Sequence, residues 1–499
     1  MEACMAEAVG AVKDLAEKVA DIVGSARVFT DGEMLSRFGK DTSHGPLKKP
    51  DLVVQVLTTA EVQAIVKLAN EYKIPVTPRS SGVGFYGAGI PEQGGIVIDM
   101  SPMKKITRID KKNRWALFEA GVTYGELQAE LAKQGLTAML PFVPHKDKSV
   151  ITSLLEREPR VTPKHHLDET IMTMEMVMPT GELFHTGSMA VSTASPETIP
   201  DAVPTDLCNS MGPGLDWFRL IPGSLGAFAI VTVMNVKIGL LPNKEKMLFF
   251  GFKNLQHCIE PFYHMLRKLI GDECLLLNSR SMAALLAETP EDIDRLQAVL
   301  PAYTIMLNLT AGEWYTEQKM AYQEKAVRDM ARTYLLKPME TLPNVPDAQN
   351  ILAGYLRKPW EKEAYWKWQA KGASKEVFFL TTLQRAPEFL QVIQNVAAAN
   401  SYSLSDMGLY LQPKQNGRAF HMEVSFPYNP DDAAEAKCAE TMHQQVSEAL
   451  ITAGAFFYRV YGPWADLVYS RTGNLHQTLK RIKGVLDPNN VLNPGQLGF

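Results

Sequence analysis

A glycine-rich stretch, Thr77-Pro78-Arg79-Ser80-Ser81-Gly82-Val83-Gly84-Phe85-Tyr86-Gly87-Ala88-Gly89-Ile90-Pro91, is the part of this chain best suited to holding a phosphorylated ligand. Glycine tolerates positive φ and lets backbone N–H groups approach a ligand closely, so such a loop can wrap a diphosphate through main-chain hydrogen bonds. A dinucleotide is the ligand this chemistry points to. The commonest dinucleotide loop runs from a strand straight into a helix, with an acidic residue about 20 positions later. Here the loop leads instead into the apolar strand Ile96-Val97-Ile98. Near the other end of the chain, Tyr458-Arg459 sets a phenol O–H beside a planar cation. That combination suits a phenolate or carboxylate oxygen in a partly dry pocket.

The elements that must position these groups follow from periodicity. Leu52 to Val56 reads as a strand, followed by a helix opened by Thr58-Thr59-Ala60-Glu61 in the form of a capping box. Val62, Ile65, Val66 and Ala69 then share one apolar face. From Asp51 to about Leu240 short strands and helices alternate. Between about Pro242 and Ala455 longer helical patterns cover Leu255 to Leu269, Trp314 to Tyr334, Pro387 to Ala399 and Asp432 to Thr452, with a strand-like run from Phe420 to Phe426. Ser188 to Pro213, rich in Pro, Ser and Thr, reads as a long ordered surface excursion.

Bulk properties exclude several classes. With 499 residues, 46% hydrophobic and 21% charged, the chain can bury large cores and should form at least two domains. A net charge of −4 without a basic run gives no footprint for nucleic acid. No stretch approaches the roughly 18 apolar residues of a membrane span. Met1-Glu2-Ala3-Cys4 lacks a signal-peptide pattern, and Ala6 to Val23 reads as an amphipathic helix, so a cytoplasmic location is expected. Cys4, Cys208, Cys258, Cys274 and Cys438 form no C-x-x-C pair, which argues against a disulfide framework, an iron–sulfur cluster or any internal electron relay.

Several segments, in order, make the chain resemble the vanillyl-alcohol oxidase and para-cresol methylhydroxylase flavoproteins. They are Pro50-Asp51-Leu52-Val53-Val54, Pro78-Arg79-Ser80-Ser81-Gly82, Ile96-Val97-Ile98-Asp99-Met100, Glu119-Ala120-Gly121-Val122-Thr123-Tyr124-Gly125-Glu126-Leu127, Pro179-Thr180-Gly181-Glu182-Leu183, Gly223-Ser224-Leu225-Gly226 with Ile230-Val231-Thr232, and the closing run from Leu486 to Gly495. The resemblance implies an α+β fold. A two-subdomain FAD-binding domain would cover residues 1–241, an α/β substrate-binding cap with an antiparallel sheet 242–455, and a return to the FAD domain 456–499. It implies FAD as cofactor, held by Pro78, Arg79, Ser80, Ser81, Gly82, Val83, Gly84, Tyr86, Gly87, Ser149, Gly223, Gly226, Ile230 and Asn493. It also implies a small aromatic substrate, a homodimer or larger assembly, and dioxygen, a cytochrome or an electron-transfer flavoprotein as electron acceptor. No metal is implied.

Phenol-oxidising members bind substrate as phenolate with a Tyr-Arg pair and a tyrosine of the glycine-rich loop, which carries those roles onto Tyr458, Arg459 and Tyr86. Ionising the hydroxyl would stabilise a quinone methide as hydride leaves the benzylic carbon. Without the resemblance, Tyr458 reads as a core aromatic and Arg459 as a surface ion-pair partner. In Ala419-Phe420-His421-Met422-Glu423, Met422 falls where some relatives carry a flavin-linking histidine, and His421 falls one residue away on the opposite face, favouring a non-covalent flavin. Glu423 shares the face of His421 and would contact substrate or fix the imidazole; the alternative is that both are half-exposed strand residues. Where relatives carry glycines, this chain has Pro144-His145-Lys146-Asp147-Lys148-Ser149, so His145 or Asp147 would act as base unless the segment is a solvated charged turn. Lys164, His165 and His166 would meet a substrate carboxylate or a cofactor phosphate. The leading function is oxidation of the benzylic carbon of a para-substituted phenol. A 2-hydroxy-acid dehydrogenase and a non-catalytic scaffold subunit, flavin-binding or flavin-free, are the alternatives.

Overall fold

The computed structural model describes residues 2–42, 47–84, 86–163, 169–191, 208–214 and 217–499, with side chains from residue 13 onward. Phe85, Lys164, His165, His166 and most of the Ser188 to Pro213 excursion lie outside the described residues. Among the described residues, three sheets carry the chain.

In the first, strands Leu52–Gln55 and Val76–Arg79 flank Ile96–Asp99 in parallel, as a strand–helix–strand crossover requires. The intervening helix Thr59–Tyr72 buries the expected Val62, Ile65, Val66 and Ala69. Its capping box forms by half. Thr58 accepts from the Glu61 amide at 3.2 Å, but the Glu61 carboxylate turns to the Leu57 amide at 2.7 Å and to Arg27 at 2.7 and 2.9 Å. An ion pair outcompetes the local box.

The second sheet is ordered Ile106–Asp110, Trp115–Glu119, Ile230–Leu240, Ile171–Val177 and Leu183–His185, with Leu136–Ala138 also paired to the long Ile230–Leu240 strand. The two sheets close on one apolar core that includes Val54, Ile65, Phe118, Ile171 and Met234.

The third sheet is antiparallel throughout and runs Lys244–Phe252, Tyr303–Ala311, Glu273–Asn278, Gly408–Lys414, Ala419–Tyr428, Ala373–Thr381. The helical patterns expected here are present as Ile259–Arg267, Thr316–Thr333, Ala386–Ala399 and Ala433–Thr452. Phe262, Met330, Phe389 and Met442 of these helices pack on Val377, Phe379, Leu411, Met422 and Val424 of the sheet. Because strand side chains alternate, Glu376, Phe378, Tyr410, Gln412, His421 and Glu423 emerge on the opposite face. Register sets them side by side: Tyr410 and Phe378 flank Glu423, while Gln412 and Leu380 flank His421.

After the sheet the chain returns. Phe456 pairs with Leu380, and Leu492 then pairs with Val76 of the first sheet. No helix among the described residues is long and apolar enough to cross a membrane.

Candidate active site

Two neighbouring cavities define the site. The first encloses about 740 Å³ where the loop after Val76–Arg79 meets the loop before Ile230–Leu240; Pro78, Arg79, Ser80, Ser81, Val83, Gly84, Gly226 and Ile230 line it with Ile151, Thr152, Leu155 and Glu156. Gly226 has φ +79°, and a Cβ there would lie 2.7 Å from the Pro78 ring, so only glycine lets the two loops touch.

The other expected cofactor residues shape this wall without lining it. Ser149 caps the short helix Val150–Leu155, donates through Oγ to the Ala120 carbonyl at 2.7 Å, and its amide donates to Ser81 Oγ at 3.2 Å. Asn493 is a clasp: its amide donates to the carbonyls of Ala88 at 3.1 Å and Leu225 at 2.6 Å and accepts from the Thr77 hydroxyl at 3.3 Å. The Gly87 amide is taken by Asp41, and the Gly223 amide by the Leu155 carbonyl. Gly82 also stands off the wall.

In the glycine-free segment Lys146 and Asp147 are solvated, but the following lysine is not. Lys148 is 0% exposed, its ammonium held 2.6 Å from each of Glu156 and Glu158. Burial alone would raise the Glu158 carboxyl, but Lys148 and Arg459 outweigh it and hold it at about 2. Sequence spacing hid this, because the two carboxylates follow only after the helix. His145 is not brought to the site. Its Nδ1 accepts from the Asp147 amide at 3.1 Å and its ring lies 6.0 Å from Tyr365, while Asp147 faces solvent.

The second cavity, about 530 Å³, is lined by the charged groups Arg459, Lys148, Glu158, Lys367, Glu376 and Glu423 and by the aromatics Tyr86, Phe142, Tyr365, Trp368 and Tyr410. Arg459 is buried, not a surface partner. Its Nε donates to the Glu156 carbonyl at 2.6 Å, joining this cavity to the first, and to the Tyr461 hydroxyl at 3.0 Å. Its guanidinium carbon lies 4.7 Å from the Tyr86 ring centre and 4.5 Å from that of Phe378. Nη2 is 3.9 Å from the Glu158 carboxylate and has no hydrogen-bond partner. Tyr86 is fixed by stacking on Tyr461 at 4.8 Å.

Tyr458 departs from expectation. It stands behind the cavity wall, with its hydroxyl 3.1 Å from His421 Nδ1. His421 is 0% exposed, so the half-exposed reading fails, and its Nε2 lies 3.0 Å from the Tyr410 hydroxyl and 3.2 Å from Glu423. Tyr410 donates to Glu423 at 3.1 Å, and Lys367 pairs with the same carboxylate. An ionised carboxylate only accepts, so the arrangement satisfying every group places the imidazole proton on Nε2 and aims the Tyr458 O–H at Nδ1. Burial lowers the imidazole to about 4 against the pull of Glu423, so it is neutral near pH 7. Glu423, which burial would raise, is held at about 2 chiefly by Lys367.

Sequence reasoning missed Tyr410 and Glu376. Burial raises the Glu376 carboxyl to about 7 despite Lys367. Glu376 lines both this cavity and a more open one of about 1200 Å³ walled by Trp368, His443 and Trp464, and its Oε1 has no hydrogen-bond partner. The available signal was a lone glutamate at the centre of Ala373-Ser374-Lys375-Glu376-Val377-Phe378-Phe379.

Comparison with known proteins matches residues 50–187 to an FAD binding domain and residues 465–497 to the C-terminal domain of FAD linked oxidases. The chain is 23% identical to the flavoprotein subunit of 4-cresol dehydrogenase (hydroxylating) from Pseudomonas putida, over 97% of this chain and 95% of that one. It is 22% identical to the mitochondrial D-lactate dehydrogenase (cytochrome) of Arabidopsis thaliana, over 92% and 75%. The crystal structure of p-cresol methylhydroxylase with substrate bound superimposes with a TM-score of 0.81 at 19% identity, covering 98% of this chain and 97% of that one. The α+β fold is therefore that of p-cresol methylhydroxylase, with an FAD-binding domain and a cap, and the cofactor is FAD.

Proposed function

We propose that this FAD-linked oxidoreductase of the p-cresol methylhydroxylase and vanillyl-alcohol oxidase superfamily oxidises the benzylic carbon of a para-substituted phenol. The observation that carries the reading is Arg459: a buried guanidinium with an unpartnered Nη2, between aromatic rings, in a cavity joined to the cofactor cleft through the Glu156 carbonyl. Bound FAD supplies the acceptor, flavin N5, for the hydride that leaves the benzylic carbon.

The chain's own groups do the rest. Arg459 and Tyr86 hold the phenol oxygen, and the cation lowers its pKa so that the phenolate pushes electron density across the ring. Phe142, Tyr365 and Trp368 supply aromatic faces for the ring to pack against. Glu376 takes a proton from the water that adds to the quinone methide, and passes it to the open cavity it also lines. Electrons then leave to dioxygen, a cytochrome or an electron-transfer flavoprotein.

A 2-hydroxy-acid dehydrogenase would use Arg459 for the carboxylate, and the D-lactate dehydrogenase relative favours it. Against it, no histidine is among the described residues lining the second cavity, and His421 is enclosed by its own partners. Those partners also occupy both ring nitrogens, which supports a non-covalent flavin. The test is anaerobic titration with 4-alkylphenols, 4-hydroxybenzyl alcohols and 2-hydroxy acids, followed by acid precipitation. Flavin bleaching by phenols and a colourless pellet are expected; bleaching by hydroxy acids alone overturns the phenol reading, and no flavin at all would favour a non-catalytic subunit.

A further inference from the structure

The matched FAD binding domain begins at residue 50, yet Asp41 lines the cofactor cleft, and residues 38–42 around it are bonded to the glycine-rich loop. They are held there firmly. The Arg79 guanidinium donates to the Phe38 carbonyl at 3.1 Å and the Lys40 carbonyl at 2.9 Å. The Thr42 hydroxyl donates to the Gly84 carbonyl at 2.6 Å, and the Asp41 carboxylate accepts from the Gly87 amide at 3.0 Å. Asp41 stands on the wall of the cleft itself, close enough to Gly84 that a Cβ there would come within 2.8 Å of it.

A carboxylate at this place constrains what lies next to it. It only accepts hydrogen bonds, so it repels a diphosphate and suits a donor. The donors of a flavin dinucleotide next to its diphosphate are the hydroxyls of its two sugar portions. We propose that Asp41 accepts a hydrogen bond from a sugar hydroxyl of FAD, on the ribityl chain or the ribose, and that residues 38–42 form part of the cofactor site. This inference is independent of the substrate.

The experiment is fluorescence titration of the apoprotein with FAD, FMN and ADP for the parent chain, Asp41→Ala and Asp41→Asn. Asn keeps the acceptor for the Gly87 amide and so holds the loop if Ala does not. Asp41→Ala should weaken FAD binding about tenfold or more, as expected for losing a charge-assisted hydrogen bond, with Asn intermediate. A parallel loss for FMN places the bond on the ribityl chain, and a loss for ADP places it on the ribose. Unchanged or tighter FAD binding by Asp41→Ala overturns the proposal, because it means that the carboxylate merely opposes the diphosphate. An equal loss for all three probes, with a lowered melting temperature in both variants, also overturns it by reducing residues 38–42 to a structural brace.

Discussion

Replacing Arg459 by alanine should abolish phenol oxidation while leaving the protein loaded with FAD. Among the described residues lining the cavity, Arg459 is the only cation with a nitrogen left without a hydrogen bond, so its loss removes the main stabiliser of a developing phenolate. Losing one preorganised donor to an oxyanion costs about 10²–10³ in kcat, equivalent to about 2.7–4 kcal/mol. Arg459 supplies charge as well as a hydrogen bond, which puts the expectation at the upper end of that range. The cleft wall should survive, because the Tyr461 hydroxyl still donates to the Glu156 carbonyl and Lys148 still pairs with Glu158 at 2.6 Å. Arg459→Lys should fall between, since an ammonium cannot bond Glu156, Tyr461 and substrate from one fork. The assay is anaerobic stopped-flow reduction of the flavin by a 4-alkylphenol, with flavin content measured on the same sample. An unchanged kcat/KM, or a loss of flavin that parallels the loss of rate, would refute the reasoning.

Four further outcomes are expected. If Glu376 acts as base in its ionised form, turnover should rise with pH through about 7, and Glu376→Gln should flatten that rise and lower the rate about 10²–10⁴-fold, read from a pH–rate profile. Lys148→Met strands two buried carboxylates and should cost about 3–5 kcal/mol in a urea melt. Glu158 and Glu423 are each held at about 2, below the ordinary 4.5, so their contribution to stability is complete above about 4.5 and should fade as pH drops toward 2, checked by acid unfolding. Gly226→Ala drives a Cβ into Pro78 at a positive φ and should yield folded, flavin-poor protein, seen in the ratio of flavin to protein absorbance.

The cofactor side of the site was legible because its determinants are local. A glycine-rich loop, a strand–helix–strand unit and Gly226 declare themselves within a few residues. Arg459 was legible through its motif, but the orientation of Tyr458 was not. That orientation depends on His421, whose place is set by register between strands far apart in the chain, Gln412 on one side and Leu380 on the other. The same register, not local spacing, gathers Glu423, Tyr410 and Glu376. Lys148 misled for a different reason. Charged residues beside Asp147 read as solvated, and only the later Glu156 and Glu158 turn the lysine inward. Where the sequence showed an acidic partner close by, as at Glu61, the local box still yielded to Arg27.

The Asn493 clasp places a time constraint on the protein in the cell. Thr77 and Asn493 are 416 residues apart, and the first sheet also needs Leu492 alongside Val76. At about 5–20 residues per second, the ribosome reaches the clasp on the order of tens of seconds after the glycine-rich loop has emerged. The nascent loop must wait that long with its fastening absent, so FAD capture becomes a late, post-synthetic event, and scarcity of free flavin would be felt as slow maturation more than as faulty translation.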